Sequence, residues 1–285
     1  MIYSRIRGGL GNQLFQYCMG RSLADKLGTD LGLDIRDFNP DSPYLMGLKN
    51  FNIRAKFNPP GMIKHKNNGY INYIIDIISG NHKFVYKEPH LSFDDNYASL
   101  PNRSYLKGYW QSAKYFENNK LNILNDLNII TDQSYQNKEI SKQIASTLSV
   151  SLHIRRGDYI ADSAYSATHG TCDLRYYENA VSYLIKNIGE NFTIFAFSDD
   201  PEWVSSNVKF PINTCYVNNN SSEYNYEDLR LMSECNHNII ANSSFSWWGA
   251  WLNPNNNKTV IAPSKWYADK SIINRDIIPK NWIRI

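Results

Sequence analysis

A histidine, two adjacent arginines and an aspartate follow directly on an apolar run in SLHIRRGDYI, residues 151–160. A guanidinium group carries a planar fork of N–H donors that holds two phosphate oxygens at once, and it stays charged at every accessible pH. Arg155 or Arg156 is therefore a candidate for binding a leaving diphosphate. Because successive side chains of an extended segment alternate in direction, we expect the other arginine to form a structural ion pair, with Asp158 as a candidate partner. A surface salt-bridge network of all four side chains, His153 included, is the alternative.

A second polar segment, ANSSFSWWGAW, begins at residue 241, directly after another apolar run. Asn242, Ser243 and Ser244 are of the residue types that cap the N-terminus of a helix. A helix N-terminus presents unpaired N–H groups and the positive end of the helix dipole, and both favour phosphate. The alternative is an ordinary capped helix that buries Phe245 and the tryptophans behind it.

Two carboxylates follow a third apolar run in FSDDPEW, residues 197–203. Asp199 and Asp200 could bind a metal or a sugar hydroxyl, or they could cap a helix that begins at Pro201. Adjacent aspartates lack the Asp-x-Asp spacing of the metal site in other sugar transferases. A cap and polar contacts are therefore favoured over a metal.

The N-terminal segment GGLGNQ, residues 8–13, is neither a GxGxxG sequence nor a Walker loop. Its glycines permit a tight turn and a close approach of the backbone to a ligand. Asn12 and Gln13 are then expected at the start of a helix, facing the binding cleft.

Strands and helices alternate along the chain, most regularly in its second half. The second half has predicted strands at 149–154, 192–198, 213–217, 237–241 and 258–263, and predicted helices at 136–147, 174–188, 223–235 and 245–252, with a short one after Pro201. The first half has predicted strands at 2–6, 31–35 and 104–110, a helix at 12–27 and a loop-rich stretch at 37–103. This alternation predicts parallel sheets covered by helices on both faces, with ligands at the carboxyl ends of the strands. The predicted domains are 1–140 and 141–285.

The composition bounds the class of protein. The chain has 285 residues, of which 42% are hydrophobic and 20% charged, so it can build sizeable cores. Its net charge of +3 is too small to favour a nucleic-acid partner. Four widely spaced cysteines without a CxxC pair argue against a zinc site or a disulfide scaffold and favour free thiols in a reducing compartment.

Two further features of the sequence bear on location. It shows no signal peptide and no run of about 18 apolar residues, so we expect a cytoplasmic protein. The segment at 70–87 is apolar with basic flanks. A core helix is predicted there, and contact with a membrane surface is the alternative.

Four segments, in the order GGLGNQLFQY, HIRRGDY, FAFSDDPEW and ANSSFSWWGAWL, resemble the four motifs of the α-1,2-fucosyltransferases, glycosyltransferase family eleven. The resemblance runs from Gly8 to about Trp266, and the His-x-Arg-Arg piece is also similar to that of the α-1,6- and protein O-fucosyltransferases. It implies a GT-B-like α/β fold, with two Rossmann-like parallel-sheet domains facing across a cleft and the nucleotide held mainly by the second. It implies a galactoside 2-α-L-fucosyltransferase that uses GDP-β-L-fucose, inverts the anomeric centre and needs no metal or other cofactor.

The resemblance also implies roles for individual residues. Arg155 looks like the arginine that binds the diphosphate and stabilises its departure, and His153 looks like a residue that orients the phosphates or ribose. Asp228 resembles a carboxylate that reads guanine, and Asn12 resembles an active-site asparagine. The implied catalytic residues are Arg155, His153 and Asn12. The implied donor-binding residues are Gly9, Gly11, Asn12, His153, Arg155, Asp158, Ser198, Asp199, Asp228, Asn242, Ser243, Ser244 and Phe245.

Fewer residues bear on the acceptor. Asp37 follows the predicted strand at 31–35, and Tyr109 and Trp110 end the predicted strand at 104–110. These three residues are the acceptor-side candidates. The resemblance implies a terminal β-galactoside acceptor, lipid-linked, in O-antigen or capsule biosynthesis, with peripheral contact at the cytoplasmic face of the inner membrane. Asp37, His153 and Asp158 stay open as the general base, and a dissociative transition state would need little help from any of them.

Two other functions are compatible with these residues. One is a related GT-B transferase with another GDP-sugar or linkage. The other is a non-catalytic sugar-binding protein, whose aromatic and asparagine side chains would form a lectin surface. Binding of GDP would count against the lectin, because a lectin has no use for phosphate-binding motifs.

Overall fold

The computed structural model describes residues 1–60, 84–156, 168 and 170–285. These residues form two units, Met1–Ile130 with Asn274–Ile277, and Thr131–Ile273 with Ile278–Ile285. The division after Ile130 lies before the predicted boundary at residue 140, which falls inside a helix at Tyr135–Ser146. Asn137 of that helix exchanges side-chain hydrogen bonds with Asn219 and Asn220, and these bonds attach the helix to the C-terminal unit.

The N-terminal unit is built on a parallel sheet whose described strands have the order β3-β2-β1-β5-β4. The strands are β1 Ile2–Arg5, β2 Leu31–Asp34, β3 Lys56–Phe57, β4 Val85–Lys87 and β5 Tyr105–Lys107. The helices described are α1 Leu10–Lys26 and α2 Lys120–Asp126, with short 3-10 helices at Leu48–Asn50, Asp95–Ser99, Ala113–Tyr115 and Glu117–Asn119. The strand order changes direction between β1 and β5, so the carboxyl ends of these two strands flank a crevice of the kind that binds ligands.

The C-terminal unit has a second parallel sheet, with the order β11-β10-β9-β6-β7-β8 in its described part. Its strands are β6 Ser149–Ile154, β7 Thr193–Ser198, β8 Thr214–Tyr216, β9 His237–Ile239, β10 Val260–Ala262 and β11 Ile283–Arg284. Its helices are α3 Tyr135–Ser146, α4 Leu174–Ile188, α5 Pro201–Asn207, α6 Asn225–Glu234 and α7 Ser244–Leu252, with a 3-10 turn at Ser222–Tyr224. Numbered from β6, the order is the 3-2-1-4-5-6 of a doubly wound dinucleotide-binding sheet. Its switch point lies between β6 and β9.

Local sequence explains the central elements of this unit. All six residues of β6 are buried, as expected for a central strand covered on both faces. Asp173 caps α4 by accepting a hydrogen bond from the Tyr176 backbone N–H at 2.8 Å, and α4 ends at Gly189, whose φ is +80°. The apolar face of α4 then shares one core with alternate residues of β6.

The predicted fold class is confirmed at the level of two Rossmann-like α/β units, each with a parallel sheet. The predicted elements at 149–154 and 174–188 have the observed bounds. Three strands were missed, namely β3, β4 and β11, because edge strands of two or three residues carry no alternation to detect. The core helix predicted at 70–87 lies mostly outside the described residues, and its last residues form β4 instead.

The cysteines and the helices bear on two expectations from the sequence, free thiols and the absence of a membrane-spanning segment. All four cysteines are free thiols, and Cys18 and Cys235 are buried. Within the described ranges, the helices are too short or too polar to cross a lipid bilayer.

Leu106 of β5 is fully buried, whereas Leu121 of α2, in the same unit, is 84% exposed. Leu106→Ala leaves a cavity in the strand that leads to Gly108 and Tyr109, so we expect it to lower the free energy of unfolding by about 2–5 kcal/mol. The matched variant Leu121→Ala should change it by less than about 0.5 kcal/mol. Urea denaturation followed by circular dichroism measures both. Equal midpoints for the two variants would contradict the packing described for β5.

Candidate active site

The carboxyl ends of β6 and β9 lie side by side at the switch point of the C-terminal sheet. The two strands pair in parallel, with Leu152 opposite Ile239. His153 is the fifth residue of β6, and the chain after β9 leads directly into α7. The His153 ring centroid lies 5.7 Å from the ring centroid of Phe245, the second residue of α7. The fold therefore brings the histidine–arginine motif and the serine-rich motif together.

His153 is a buried, neutral histidine. Its side chain is 3% exposed, and burial lowers its pKa to about 4, helped by the charge of Arg155 and opposed by that of Asp199. Its Nδ1 atom has no hydrogen-bond partner within the described part of the chain. At neutral pH this imidazole is therefore a weak base, but its unpaired nitrogen is suited to a hydrogen bond with a ligand.

Both arginines after β6 form ion pairs with the aspartates after β7. Arg155 Nε lies 3.2 Å from Asp199 Oδ2, and Arg156 Nε lies 3.3 Å from Asp200 Oδ2. The guanidinium of Arg156 also stacks 3.5 Å from the centroid of the Trp203 ring. Arg156 is thus held by Asp200 and Trp203, as expected of the structural arginine of the pair. The predicted partner Asp158 lies outside the described residues.

The residues at the end of β7 organise the start of α5. Asp200 is the N-cap, and its carboxylate accepts a hydrogen bond from the Trp203 backbone N–H at 3.3 Å. The Ser198 hydroxyl accepts one from the Asp200 backbone N–H at 3.0 Å. The capping interpretation of this segment is confirmed. Asp199 is held by Arg155 and by the backbone N–H of Arg156, at 2.9 Å from the latter.

The N-terminus of α7 forms the other side of the switch point. Ser243 is the N-cap, as predicted, and its hydroxyl accepts a hydrogen bond from the Phe245 backbone N–H at 3.3 Å. Ser244 and Phe245 are half-buried, and the first turn contains no acidic residue. The first backbone N–H groups of a helix have no intrahelical partner. Together with Arg155, they give this edge of the sheet the character of an anion site.

Asn242 holds the loop in front of α7. Its side-chain amide donates hydrogen bonds to the carbonyl oxygens of Gly170 at 3.0 Å and Trp266 at 3.2 Å, and its Oδ1 accepts one from the Cys172 thiol at 3.5 Å. The side chain is 4% exposed. These bonds fix the position of the loop in front of α7.

Asp228 lies in the first turn of α6, which begins at the same carboxyl edge of the C-terminal sheet after β8. Its Oδ1 accepts a hydrogen bond from the Asn220 side-chain amide at 2.7 Å. Burial raises its pKa to about 7; the Glu227 charge adds to this, and the Asn220 hydrogen bond opposes it. This carboxyl group therefore changes charge near neutral pH, and its oxygens can accept two neighbouring N–H donors when ionised.

The glycine motif of the N-terminal unit forms the turn between β1 and α1. Gly8 has a φ of +78°, which a residue with a side chain adopts only under strain, and Gly9 is the N-cap of α1. Gly11 and Asn12 lie in the first turn of α1. The Asn12 Oδ1 accepts a hydrogen bond from the Gln111 side-chain amide at 2.8 Å, which links the α1 turn to the segment after β5.

Two buried glutamines of α1 were not identified as structural by sequence reasoning. The Gln13 side-chain amide donates hydrogen bonds to the carbonyls of Gly8 and Leu45, both at 2.8 Å, and so joins two loops. It was predicted to face the binding cleft, but its side chain is buried. Gln16 accepts a hydrogen bond from the Arg7 backbone N–H at 2.9 Å and donates to the Gly108 carbonyl at 3.2 Å. Amides at positions i and i+3 of the buried face of a helix are the signal that could have found them.

The three acceptor-side candidates have different surroundings. Asp37 forms two hydrogen bonds with the Arg5 guanidinium, at 2.8 and 2.9 Å. Tyr109 is half-buried, with the Arg7 guanidinium 5.5 Å from its ring centroid. Trp110 is fully buried, has a φ of +57° and stacks on Tyr86, so its ring belongs to the core of the unit and not to a surface that an acceptor can touch.

Glu88 explains the unusual backbone at Trp110, and its role was not predicted. Its two carboxylate oxygens accept hydrogen bonds from the backbone N–H groups of Tyr109 at 2.7 Å and Trp110 at 2.9 Å. Burial raises the pKa of this carboxyl group, and the two backbone hydrogen bonds oppose the rise. Glu88 thereby fixes the loop that carries the exposed part of Tyr109.

A comparison with protein families places the chain in a known group. The family model for glycosyl transferase family 11 matches residues 65–285 of the chain. The chain belongs to this family. The resemblance of the four sequence motifs is thereby confirmed, and this family 11 protein is a glycosyltransferase.

Two relatives of the family 11 protein are similar along its whole length. The alpha-1,2-colitosyltransferase of Escherichia coli is 34% identical over 317 residues, covering 100% of this chain and 99% of the relative. The O-antigen biosynthesis glycosyltransferase WbnK of Escherichia coli is 35% identical over 320 residues, covering 100% of both chains. The bacterial relationship expected from the motifs is therefore confirmed.

Solved structures of the fucosyltransferase NodZ from Bradyrhizobium share the fold of this family 11 protein. One matches with a TM-score of 0.52 and 15% identity, over 87% of this chain and 91% of that chain. Another, of NodZ co-crystallized with GDP, matches with a TM-score of 0.52 and 14% identity, over 87% and 90%. At such identities the likeness concerns the fold alone, and it confirms the predicted GT-B-like class.

Proposed function

We propose that this family 11 protein is a galactoside 2-α-L-fucosyltransferase. It transfers L-fucose from GDP-β-L-fucose to the 2-hydroxyl of a terminal β-galactoside, with inversion at the anomeric carbon. The observation that carries the proposal is the anion site at the switch point of the C-terminal sheet, where Arg155 and the first turn of α7 follow adjacent strands. O-antigen or capsule assembly is the proposed setting, supported by the name of the relative WbnK.

The proposed mechanism follows the movement of charge. Cleavage of the bond between the fucose C1 and the diphosphate oxygen produces an oxocarbenium-like sugar and a GDP group that gains negative charge. Arg155 and the first turn of α7 are assigned to the same diphosphate. Asp199 holds the Arg155 guanidinium and the Ser243 hydroxyl caps α7, so both groups are positioned before the reaction. Donors that need no rearrangement lower the barrier to charge separation most strongly.

Guanine recognition is assigned to Asp228. Guanine presents the N1–H and the exocyclic amino group side by side, and an ionised carboxylate accepts both. Asn220 already orients one oxygen of Asp228 from the loop after β8. In support of a guanine nucleotide, the NodZ protein that shares the fold was co-crystallized with GDP.

The acceptor hydroxyl needs little help from a base in a dissociative reaction. The lowered pKa of His153 makes it a weak proton acceptor, so we assign it to orienting the phosphates or ribose through its unpaired nitrogen. Asp37 is engaged by Arg5, and Asp158 lies outside the described residues. Asn12 is proposed as the active-site asparagine, with its orientation set by Gln111.

Two further properties belong to the proposal. The reaction is proposed to be independent of a metal, because its charge stabilisation is assigned to Arg155 and the α7 amides. A cytoplasmic location at the inner face of the membrane is proposed from the lipid-linked acceptor that the motifs imply. The four free thiols support a reducing compartment.

A second donor deserves a direct test. Colitose is L-fucose without the 3-hydroxyl, and a relative that is 34% identical over the whole chain is an alpha-1,2-colitosyltransferase. The proposed donor site would bind the GDP part of either sugar in the same way. The preference for one donor over the other therefore depends on contacts to the 3-hydroxyl group of the sugar.

The donor, the acceptor and the metal requirement can be tested in one assay. Purified protein is incubated with lactose, excess EDTA and either GDP-fucose or GDP-colitose, and the products are identified by mass spectrometry. We expect fucosyllactose, with an α-1,2 linkage by NMR. Faster transfer from GDP-colitose would show that colitose, not fucose, is the preferred donor sugar. A requirement for added manganese would contradict the proposed independence of a metal.

Replacement of Arg155 should separate catalysis from folding. Arg155→Ala removes one preorganised donor from the diphosphate, so we expect kcat to fall by about 10²–10³ with an unchanged circular dichroism spectrum. Arg156→Ala is the matched control, because that arginine stacks on Trp203, and its kcat should stay within about tenfold of wild type. Near-normal turnover of Arg155→Ala would remove the arginine from the mechanism.

The pKa of Asp228, raised by burial to about 7, predicts pH-dependent binding of GDP. Guanine requires the ionised form, so below pH 7 the affinity should fall by up to about tenfold per pH unit, and above it the affinity should level off. Isothermal titration calorimetry between pH 5.5 and 8.5 measures this. Asp228→Asn should bind weakly, and it retains only the pH dependence of the GDP phosphates. Identical profiles for both proteins would disprove the guanine role.

A further inference from the structure

A cavity of about 250 Å³ lies at the carboxyl edge of the N-terminal sheet. It is formed where β1, β4 and β5 end, next to the switch point between β1 and β5. Its lining contains four basic side chains, one carboxylate and one aromatic ring, namely Arg5, Arg7, Lys87, Lys107, Glu88 and Tyr109. The proposed donor chemistry makes no use of this cavity.

Two carboxylates near this cavity already have hydrogen-bond partners. Asp37 accepts both of its described hydrogen bonds from Arg5 and so neutralises that arginine. Glu88 is held by the backbone N–H groups of Tyr109 and Trp110. For Arg7, Lys87 and Lys107, no carboxylate partner is found in the described part of the chain. The cavity therefore carries an excess of positive charge.

Gathering these cations in one place has an electrostatic consequence. Like charges that share a cavity repel one another, and an anion that enters relieves the repulsion. Arg7 is pre-positioned by its contact with the Tyr109 ring, and its backbone N–H is fixed by Gln16. A guanidinium and two ammonium groups around a concave site are complementary to the oxygens of a phosphate or carboxylate.

We infer that this cavity is a binding site for an oxyanion, a phosphate or a carboxylate, carried by the acceptor; this rests on the proposed transferase function. The donor's diphosphate is already assigned to the corresponding edge of the C-terminal sheet. Arg7 and Lys87 are exposed, so with a neutral galactoside their charges would be balanced by solvent alone. The protein is thus selective for galactosides that are attached to an anionic group.

The test compares each anionic acceptor with its own neutral counterpart. N-acetyllactosamine is the counterpart of its 1-phosphate, and lactose is the counterpart of galactosyl-β1,4-glucuronic acid, which carries the carboxylate. We expect KM for at least one anionic acceptor to be about tenfold below that of its neutral counterpart, and the stronger of the two identifies the anion. The difference should shrink as the salt concentration rises.

Variants locate the effect in the cavity. Arg7→Gln and Lys87→Gln should each bring the ratio of anionic to neutral kcat/KM towards one, without raising KM for the GDP-sugar. Lys49→Gln, an exposed lysine of the same unit outside the cavity, should leave the ratio unchanged. Equal KM values for charged and neutral acceptors in the wild type would overturn the inference. So would an increase in the donor KM of Arg7→Gln at a constant acceptor ratio.

Direct binding keeps this inference separate from the proposed reaction. If no GDP-sugar supports transfer, the transferase proposal fails, but calorimetry with N-acetyllactosamine 1-phosphate still reports on the cavity. Binding by the wild type that weakens about tenfold in Arg7→Gln supports the anion site. Equal binding of the phosphorylated and the neutral disaccharide would overturn it.

Discussion

The parallel pairing of β6 with β9 is the constraint on which the proposed donor site depends. These strands are distant in sequence, yet their pairing brings His153 against Phe245 and places Arg155 on the same sheet edge as the start of α7. Because a doubly wound sheet reverses its strand order here, the loops after β6 and β9 turn to opposite faces and leave a crevice. The guanidinium that follows β6 and the helix N-terminus that follows β9 can then bind the same anion, so the two loops share its charge between them.

Buried polar side chains hold the loops around both switch points. Gln13 and Gln16 bracket the turns of the N-terminal unit, Glu88 fixes the backbone of Tyr109 and Trp110, and Asn242 holds the segment before α7. Each pairs with backbone N–H or carbonyl groups of the neighbouring loops. These bonds hold the loops in one position, and donors held in fixed directions are what stabilisation of a charged transition state requires.

The elements that could be predicted from sequence are those with local patterns. The apolar run of β6 and the amphipathic face of α4 carry their own periodicity, and the Ser243 and Asp200 caps follow from short-range side-chain chemistry. The ion-pair and hydrogen-bond partners of the polar side chains could not be predicted, because the order of the strands decides which residues meet. Arg156 pairs with Asp200 across β6 and β7, and Gln13 reaches a carbonyl at Leu45. The burial of Trp110 depends likewise on Glu88 and Tyr86, which precede it by more than twenty residues.

The N-terminal unit is completed by four residues from near the end of the chain, Asn274–Ile277. Within this unit, Asp276 accepts a hydrogen bond from the Phe93 backbone N–H at 2.9 Å and forms an ion pair with Lys114, and Ile277 is buried. During synthesis the first half of the protein therefore leaves the ribosome without its last contacts. It cannot reach its final form until residues 274–277 have been translated, after most strands of the second sheet, so the order of folding on the ribosome does not simply follow the order of the two sheets.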